Sequence, residues 1–244
     1  MEILGKIKTV NSYPLIAVPD LDSLILSDLH VGIEIVQTSS GVLMPRFQTD
    51  NILEELGEAR KISGMSKLVI NGDLKHSFSG KNKKENQEVE RFLRKVSMLF
   101  DEVYIVRGNH DSAIKYRTSD FNNVEVFDSL EKDGFLIAHG HKKIEVGEET
   151  RYIVIGHEHP ALELKDDAGV AEKVSCLLYG RKEGVFTVVL PAYSKIASGT
   201  SINNVPKNRL LSPHLRDIGV DHMEAVGIDR KAGVLKFPRI EKIK

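Results

Sequence analysis

Asp28 and His30 stand two residues apart just beyond an apolar run, in the stretch Leu24-Ile25-Leu26-Ser27-Asp28-Leu29-His30. On an extended chain, residues two apart point the same way. A carboxylate and an imidazole can therefore be aimed at one point, which makes half of a metal site. Three later apolar runs end in the same manner. Ile70-Asn71-Gly72-Asp73, Val106-Arg107-Gly108-Asn109-His110-Asp111 and Val154-Ile155-Gly156-His157-Glu158-His159 each pass through a glycine into potential ligands. Of the nine histidines, His30, His110, His139, His141, His157 and His159 follow strand-like runs, and His76 lies close behind Asp73. Only His214 and His222 fall elsewhere, so these are not histidines scattered over a core and a surface.

The candidate ligands are Asp28, His30, Asp73, Asn109, His139, His157 and His159. All offer oxygen or imidazole nitrogen and none offers sulfur. That mixture suits Mn²⁺, Fe or Zn²⁺ and is too rich in nitrogen for a dedicated Ca²⁺ or Mg²⁺ site. Seven donors exceed what one ion takes from protein while leaving room for a substrate. Two ions sharing a carboxylate is the simpler account. Such a pair attracts an anionic substrate, clamps phosphoryl oxygens and lowers the pKa of water towards ~7. The residues thus point to a two-metal phosphoester hydrolase built where several strand ends converge.

The elements that must position these groups are legible in outline. One or two edge strands are expected before Leu24–Leu26, and a loop with room for a short helix over Val31–Arg46. Ile52, Leu53, Leu56 and Ala59 share one face of a helix over Gln48–Lys61. Lys67–Asn71 reads as a buried strand, and polar His76–Asn86, with Lys81, Lys83 and Lys84, as an exposed loop. Val89, Phe92, Leu93, Val96 and Leu99 mark a second helix, followed by a strand at Val103–Val106. This alternation predicts an α/β core with a largely parallel sheet and a site at the carboxyl ends of its strands. From Val124 onward helical periodicity nearly vanishes. Val124–Phe127, Gly134–Ala138, Tyr152–Ile155, Val174–Tyr179, Val185–Leu190 and Glu224–Asp229 read as strands, and Lys195–Lys207 as a long surface loop. The strand-rich half is expected to form a second sheet within the same domain, spanning residues 1–244.

Composition sets the outer limits. With 41% hydrophobic and 28% charged residues, the chain is ordinary for a globular protein. A net charge of −1 excludes a strongly basic polyanion binder but not a local basic groove. Cys176 is the single cysteine, so an intrachain disulfide and a thiolate zinc cluster are both excluded. No apolar stretch reaches membrane-spanning length, and Met1–Asp20 lacks the pattern of a secretory signal. A cytoplasmic location without membrane association is the expectation.

The blocks resemble the calcineurin-like metallophosphoesterase superfamily: D-x-H at Asp28–His30, GD at Gly72-Asp73, GNH[DE] at Gly108–Asp111, the histidine His139, and GHxH at Gly156–His159. The ordered set covers Asp28 to His159. The resemblance implies a four-layer α/β/β/α sandwich. It also implies Asp28, His30 and His159 on one ion, Asn109, His139 and His157 on the other, and Asp73 between them. His110 is then the acid that protonates the leaving oxygen, and Asp111 orients it. Gly72–His76 and Leu190–Tyr193 are similar to the branch linked to the Lhr DNA helicase and near the manganese-dependent nucleases of DNA repair. That implies Mn²⁺ (with Fe, Zn, Co or Ni as alternatives), a DNA phosphodiester substrate and a helicase partner. Lys75 and His76 depart from the superfamily's usual GD-x-x-[DE]. His76, Arg107 and His141 are candidate substrate contacts and equally fit solvated positions, as do Lys75, Lys142 and Lys143. Tyr193, after Pro191, reads as packing, with approach to a substrate base as the alternative. A phosphomonoesterase acting on nucleotides or phosphoproteins, or a non-catalytic metal-binding scaffold, would use the same fold. A diester/monoester comparison separates these readings.

Overall fold

The computed structural model describes residues 1–112, 114–166 and 169–243. Its first sheet takes seven strands in chain order: β1 (Glu2–Ile3), β2 (Ile7–Thr9), β3 (Leu15–Val18), β4 (Ser23–Leu26), β5 (Lys67–Asn71), β6 (Glu102–Val106) and β7 (Val124–Phe127). Pairing is antiparallel from β1 to β4 and parallel from β4 to β7. Parallel neighbours need crossovers. These are α1 (Ile33–Ser39) and α2 (Gln48–Ser63), then α3 (Lys83–Leu99), then the short α4 (Lys115–Thr118). Helix α2 buries Ile52, Leu56 and Ala59 and stops at left-handed Gly64, whose N–H donates to the Arg60 carbonyl. Helix α3 starts at Asn82, whose side chain accepts the Glu85 N–H, and buries Val89, Phe92, Leu93 and Val96.

The second sheet holds β8 (Ser129–Lys132), β9 (Phe135–Ala138), β10 (Tyr152–Ile155), β11 (Pro160–Lys165), β12 (Ala171–Lys182), β13 (Val185–Val189), β14 (Thr200–Ser201), β15 (Glu224–Asp229) and β16 (Gly233–Arg239). Its order is β14-β11-β12-β13-β10-β9-β8, with β15 pairing to β12 and to β16. Strands β9, β10 and β13 run parallel. The sheets pack face to face through Ile16, Ile25, Val69 and Val106 on one side and Ile137, Val154, Val188 and Val226 on the other. Helices α2 and α3 cover the outer face of the first sheet. The outer face of the second is closed by Leu215 of α5 (Pro213–Ile218) together with Ile202 and Leu210. The expected α/β sandwich of two mixed sheets flanked by helices is what forms, its fourth layer thin.

Several expectations need correction. Three strands, not one or two, precede β4. Over Val31–Arg46 the short helix for which the loop left room forms as α1, so that expectation stands. The segment His76–Asn86 is not a wholly exposed loop, because Lys83–Asn86 opens α3 and Glu85 is fully buried. Its carboxylate accepts the N–H groups of His76 and Ser77, so a residue polar in sequence serves as an internal brace. Lys195–Lys207 is likewise not all surface. Asn203 is buried and pairs with the backbone of Glu163 as a strand neighbour would.

One side chain ties the two sheets together beside the strand ends. Asn71, at the end of β5, is fully buried, and its amide donates to the carbonyls of Ala138 (3.1 Å) and Val154 (3.2 Å). Replacing it with alanine strands both carbonyls. Asn71→Ala is expected to cost roughly 1–3 kcal/mol per unpaired group in urea unfolding. A loss below about 0.5 kcal/mol would mean that the tether contributes nothing.

Candidate metal centre

Each candidate ligand lies just past the carboxyl end of a parallel strand. Asp28 and His30 follow β4, Asp73 follows β5 and Asn109 follows β6. His139 follows β9, and His157 and His159 follow β10. Three overlapping clusters result: Asp28, His30 and His159; His30, Asp73 and His110; and Asp73, His139 and His157. Within each, the donor atoms lie no more than 4.8 Å apart. Residues from both sheets and from more than half of the chain therefore meet in one place.

The backbone shows what the convergence demands. Asp28, His30, Asp73, His157 and His159 all have φ between 47° and 65°, the left-handed region that side chains avoid. They make up five of the ten described non-glycine residues with positive φ, so strain concentrates at the strand mouths. Two glycines let the loops close. A Cβ on Gly108 would sit 2.1 Å from Asp73 Oδ1, and one on Gly156 would sit 1.7 Å from Ser27 Oγ.

Hydrogen bonds fix the rest. Asp28 Oδ2 accepts from Ser27 Oγ (2.6 Å) and the His157 N–H (3.0 Å), while its Oδ1 faces His159 Nε2 at 3.1 Å. Asp73 Oδ1 accepts the His110 N–H at 3.0 Å. His139 Nδ1 donates to the Asn71 carbonyl (2.9 Å), which turns Nε2 towards Asp73 Oδ1 (3.4 Å) and Asp28 Oδ1 (3.8 Å). Glu158 turns the other way and accepts from Leu211 and Ser212, leaving His157 and His159 to the centre. Buried Asn109 Oδ1 and His30 Nδ1 have no hydrogen-bond partner among the described residues, and His139 Nε2 has only its longer contacts to the two carboxylates. Buried polar atoms are rarely left so. The orphaned atoms and the nitrogen–oxygen donor set fit divalent cations.

The electrostatics agree. Burial alone would push Asp28 up, but His159, His139 and His30 outweigh it and hold the carboxyl well below the usual range. Burial is likewise overcome at Asp73, chiefly by His139. Burial opposes the charge on His139, yet Asp28, Asp73 and the Asn71 carbonyl raise it to about 9. His159 is raised in the same way by Asp28. His30 and His157 fall to about 4, burial being the main cause.

The remaining expectations divide. His76 lies beside the centre, its ring stacked on His110 with centroids 5.9 Å apart, and His141 lies 5.3 Å from His139. Arg107 is turned to Asp128, with Nε 3.0 Å from Oδ1. Lys75 is buried, its ammonium on the Ser77 carbonyl, so it cannot grip a phosphate from solvent. Tyr193 is fully buried and packs. Among the described residues Asp111 makes no hydrogen bond to the His110 ring. Its carboxylate accepts the N–H groups of Gly108 (3.0 Å), Leu74 (3.3 Å) and Lys75 (3.3 Å) and so shapes the loop. His110 Nδ1 meets the His76 carbonyl instead, and Phe78 stacks on the ring at 3.8 Å. Ser27, Asn71, Phe78 and Glu85 went unsingled in the sequence; Ser27 and Asn71 at least sit inside the ligand blocks.

The chain belongs to the calcineurin-like phosphoesterase family, whose sequence model matches residues 22–177. It is accordingly a metal-dependent hydrolase of phosphoric esters. No match is found among curated proteins. Among solved structures the chain is similar to the Pseudomonas putida nuclease MPE, with a TM-score of 0.64 and 17% identity, covering 97% of this chain and 98% of that one. At that identity the likeness shows the fold. It is also similar to YfcE, a phosphoesterase from E. coli, with a TM-score of 0.39 and 18% identity, over 68% of this chain and 77% of that one.

A cation bound at His139 Nε2 would take the place of the proton that the carboxylates hold there up to about pH 9. Metal uptake at pH 7.5 should therefore release protons, and affinity should strengthen as pH rises towards about 9. Titration calorimetry in buffers of different ionisation enthalpy reads this directly. Uptake without proton release would contradict it.

Proposed function

We propose that the chain, as one domain over residues 1–244, hydrolyses phosphodiesters and acts as a nuclease on DNA. The observation that carries the reading is the run of three donor clusters joined through His30 and Asp73, with His110 in the middle one. Asp28, His30 and His159 would hold one ion, Asn109, His139 and His157 the other, and Asp73 would be shared. When bound, two divalent cations supply positive charge for the phosphoryl oxygens and lower the pKa of water towards ~7. The chain's own contribution is a positioned proton. His110 Nδ1 is engaged by the His76 carbonyl, which leaves Nε2 facing the centre, 3.7 Å from Asp73 Oδ2. His110 would give the proton on Nε2 to the departing alkoxide oxygen, and the flat face of Phe78 keeps the ring from swinging away. Asp111 secures the loop that carries it.

Manganese as the working metal and a helicase partner in DNA repair rest on the narrower resemblance of Gly72–His76 and Leu190–Tyr193, whereas a cytoplasmic setting is the expectation drawn from composition. No helix among the described residues is long and apolar enough to cross a membrane.

A matrix of Mn²⁺, Fe²⁺, Co²⁺ and Zn²⁺ against bis-p-nitrophenyl phosphate, p-nitrophenyl phosphate and labelled DNA tests the reading. Preference for the monoester throughout would overturn it. His110→Asn should keep two metals per chain by elemental analysis and slow cleavage of a diester with a poor leaving group by about 10²–10⁴-fold. An undiminished rate would remove His110 from the role of acid.

A further inference from the structure

Two clefts reach the centre through different ligands, and their charge differs. The larger, about 780 Å³, touches Asn109 and His139. Its lining carries the cations Arg107, Lys142 and Lys143 and the carboxylates of Asp111, Asp128, Glu131 and Glu145. Arg107 is already committed to Asp128. That cleft has no surplus of positive charge to offer a polyanion. The smaller, about 540 Å³, starts at His159 and carries Lys173, Lys195, Arg230 and Lys231 against the single carboxylate of Asp229. Asp229 is occupied with the backbone N–H groups of Lys231 and Ala232.

The four cations of the smaller cleft are not equivalent. Arg230 is locked to Glu55 and lies over the Tyr193 ring, and Lys195 shares the same carboxylate at 3.4 Å. These two belong to the frame. Lys173 and Lys231 are exposed and have no carboxylate partner among the described residues; the Lys173 ammonium rests only on the Gly199 carbonyl. That carbonyl belongs to the segment whose Ser198 oxygen accepts from His159 Nδ1. The wall that carries the unpaired cations is thus continuous with a candidate ligand of the centre.

We infer that the smaller cleft is a phosphate track: a nucleic-acid strand whose scissile phosphate sits at the centre continues past His159, and Lys173 and Lys231 meet its next phosphates. This rests on the nuclease reading above. It adds the direction in which the strand leaves and the residues that select a polymer over a small diester. The mixed-charge cleft by Lys142 and Lys143 is not the main path. Because the contacts are to phosphates, they carry no base preference and must be sensitive to salt.

The test uses the Mn²⁺-loaded protein with a labelled single-stranded oligonucleotide and bis-p-nitrophenyl phosphate. The reading is the ratio of kcat/KM for the two substrates. Lys173→Glu with Lys231→Glu should lower that ratio about tenfold or more, and Lys142→Glu with Lys143→Glu should lower it less. The neutral pair Lys173→Ala with Lys231→Ala should flatten the log–log salt dependence of oligonucleotide binding by about 0.7 per lysine. Both side chains are exposed, so neither change disturbs the core. An unchanged ratio, or a larger loss in the Lys142/Lys143 variant, overturns the track while leaving the nuclease standing. A wild-type protein that cleaves the small diester but never the oligonucleotide overturns the nuclease reading and the track with it.

Discussion

Two carboxylates, Asp28 and Asp73, are buried within reach of one imidazole, and the rest of the centre is arranged so that both stay ionised there. Each raises the cost of charge on the other, and burial adds to that cost. His139 compensates by pointing Nε2 at both. It holds that aim because Nδ1 is spent on the Asn71 carbonyl. Asn71 in turn stays fixed because its amide joins the ends of β9 and β10 to β5. The sheet-to-sheet tether and the charge balance of the centre are one connected system. A pair of buried anions held in this way is a strong attractor for divalent cations, and a weak feature for stability alone.

Local strain follows from the same constraint. To turn side chains from two sheets into one space, the chain leaves its strands through left-handed turns at Asp28, His30, Asp73, His157 and His159. Such turns persist only where the surroundings over-determine them. Here the surroundings are the bare glycines against which Asp73 and Ser27 press, and the backbone donors caught by Asp28 and Asp111. Geometry that would be costly in an ordinary turn is what makes the donors converge.

Much of this was legible in sequence, for identifiable reasons. Asp28, Asp73, Asn109 and His157 stand out because each follows an apolar run, three of them through a glycine, and that spacing survives without any knowledge of packing. Helices α2 and α3 announce themselves through Ile52–Ala59 and Val89–Val96, since one buried face imposes a period. What stayed hidden depends on partners distant in the chain. The Asn71 amide reaches residues 67 and 83 positions away. Strands β8, β11 and β14 are paired through backbone while their side chains alternate or stay polar. Glu85 is a buried acid that composition reads as surface. Asp111 has a role that only the packing discloses: its carboxylate grips the loop that carries His110, while the ring itself meets His76 and Phe78.

The central claim is that these strand ends hold two cations with Asp73 between them. Anomalous diffraction from crystals of the Mn²⁺-loaded protein tests it most directly. The account predicts two peaks roughly 3.5–4 Å apart, one against Asp28, His30 and His159 and the other against Asn109, His139 and His157. A single peak, or metal bound away from Asp73, would contradict it.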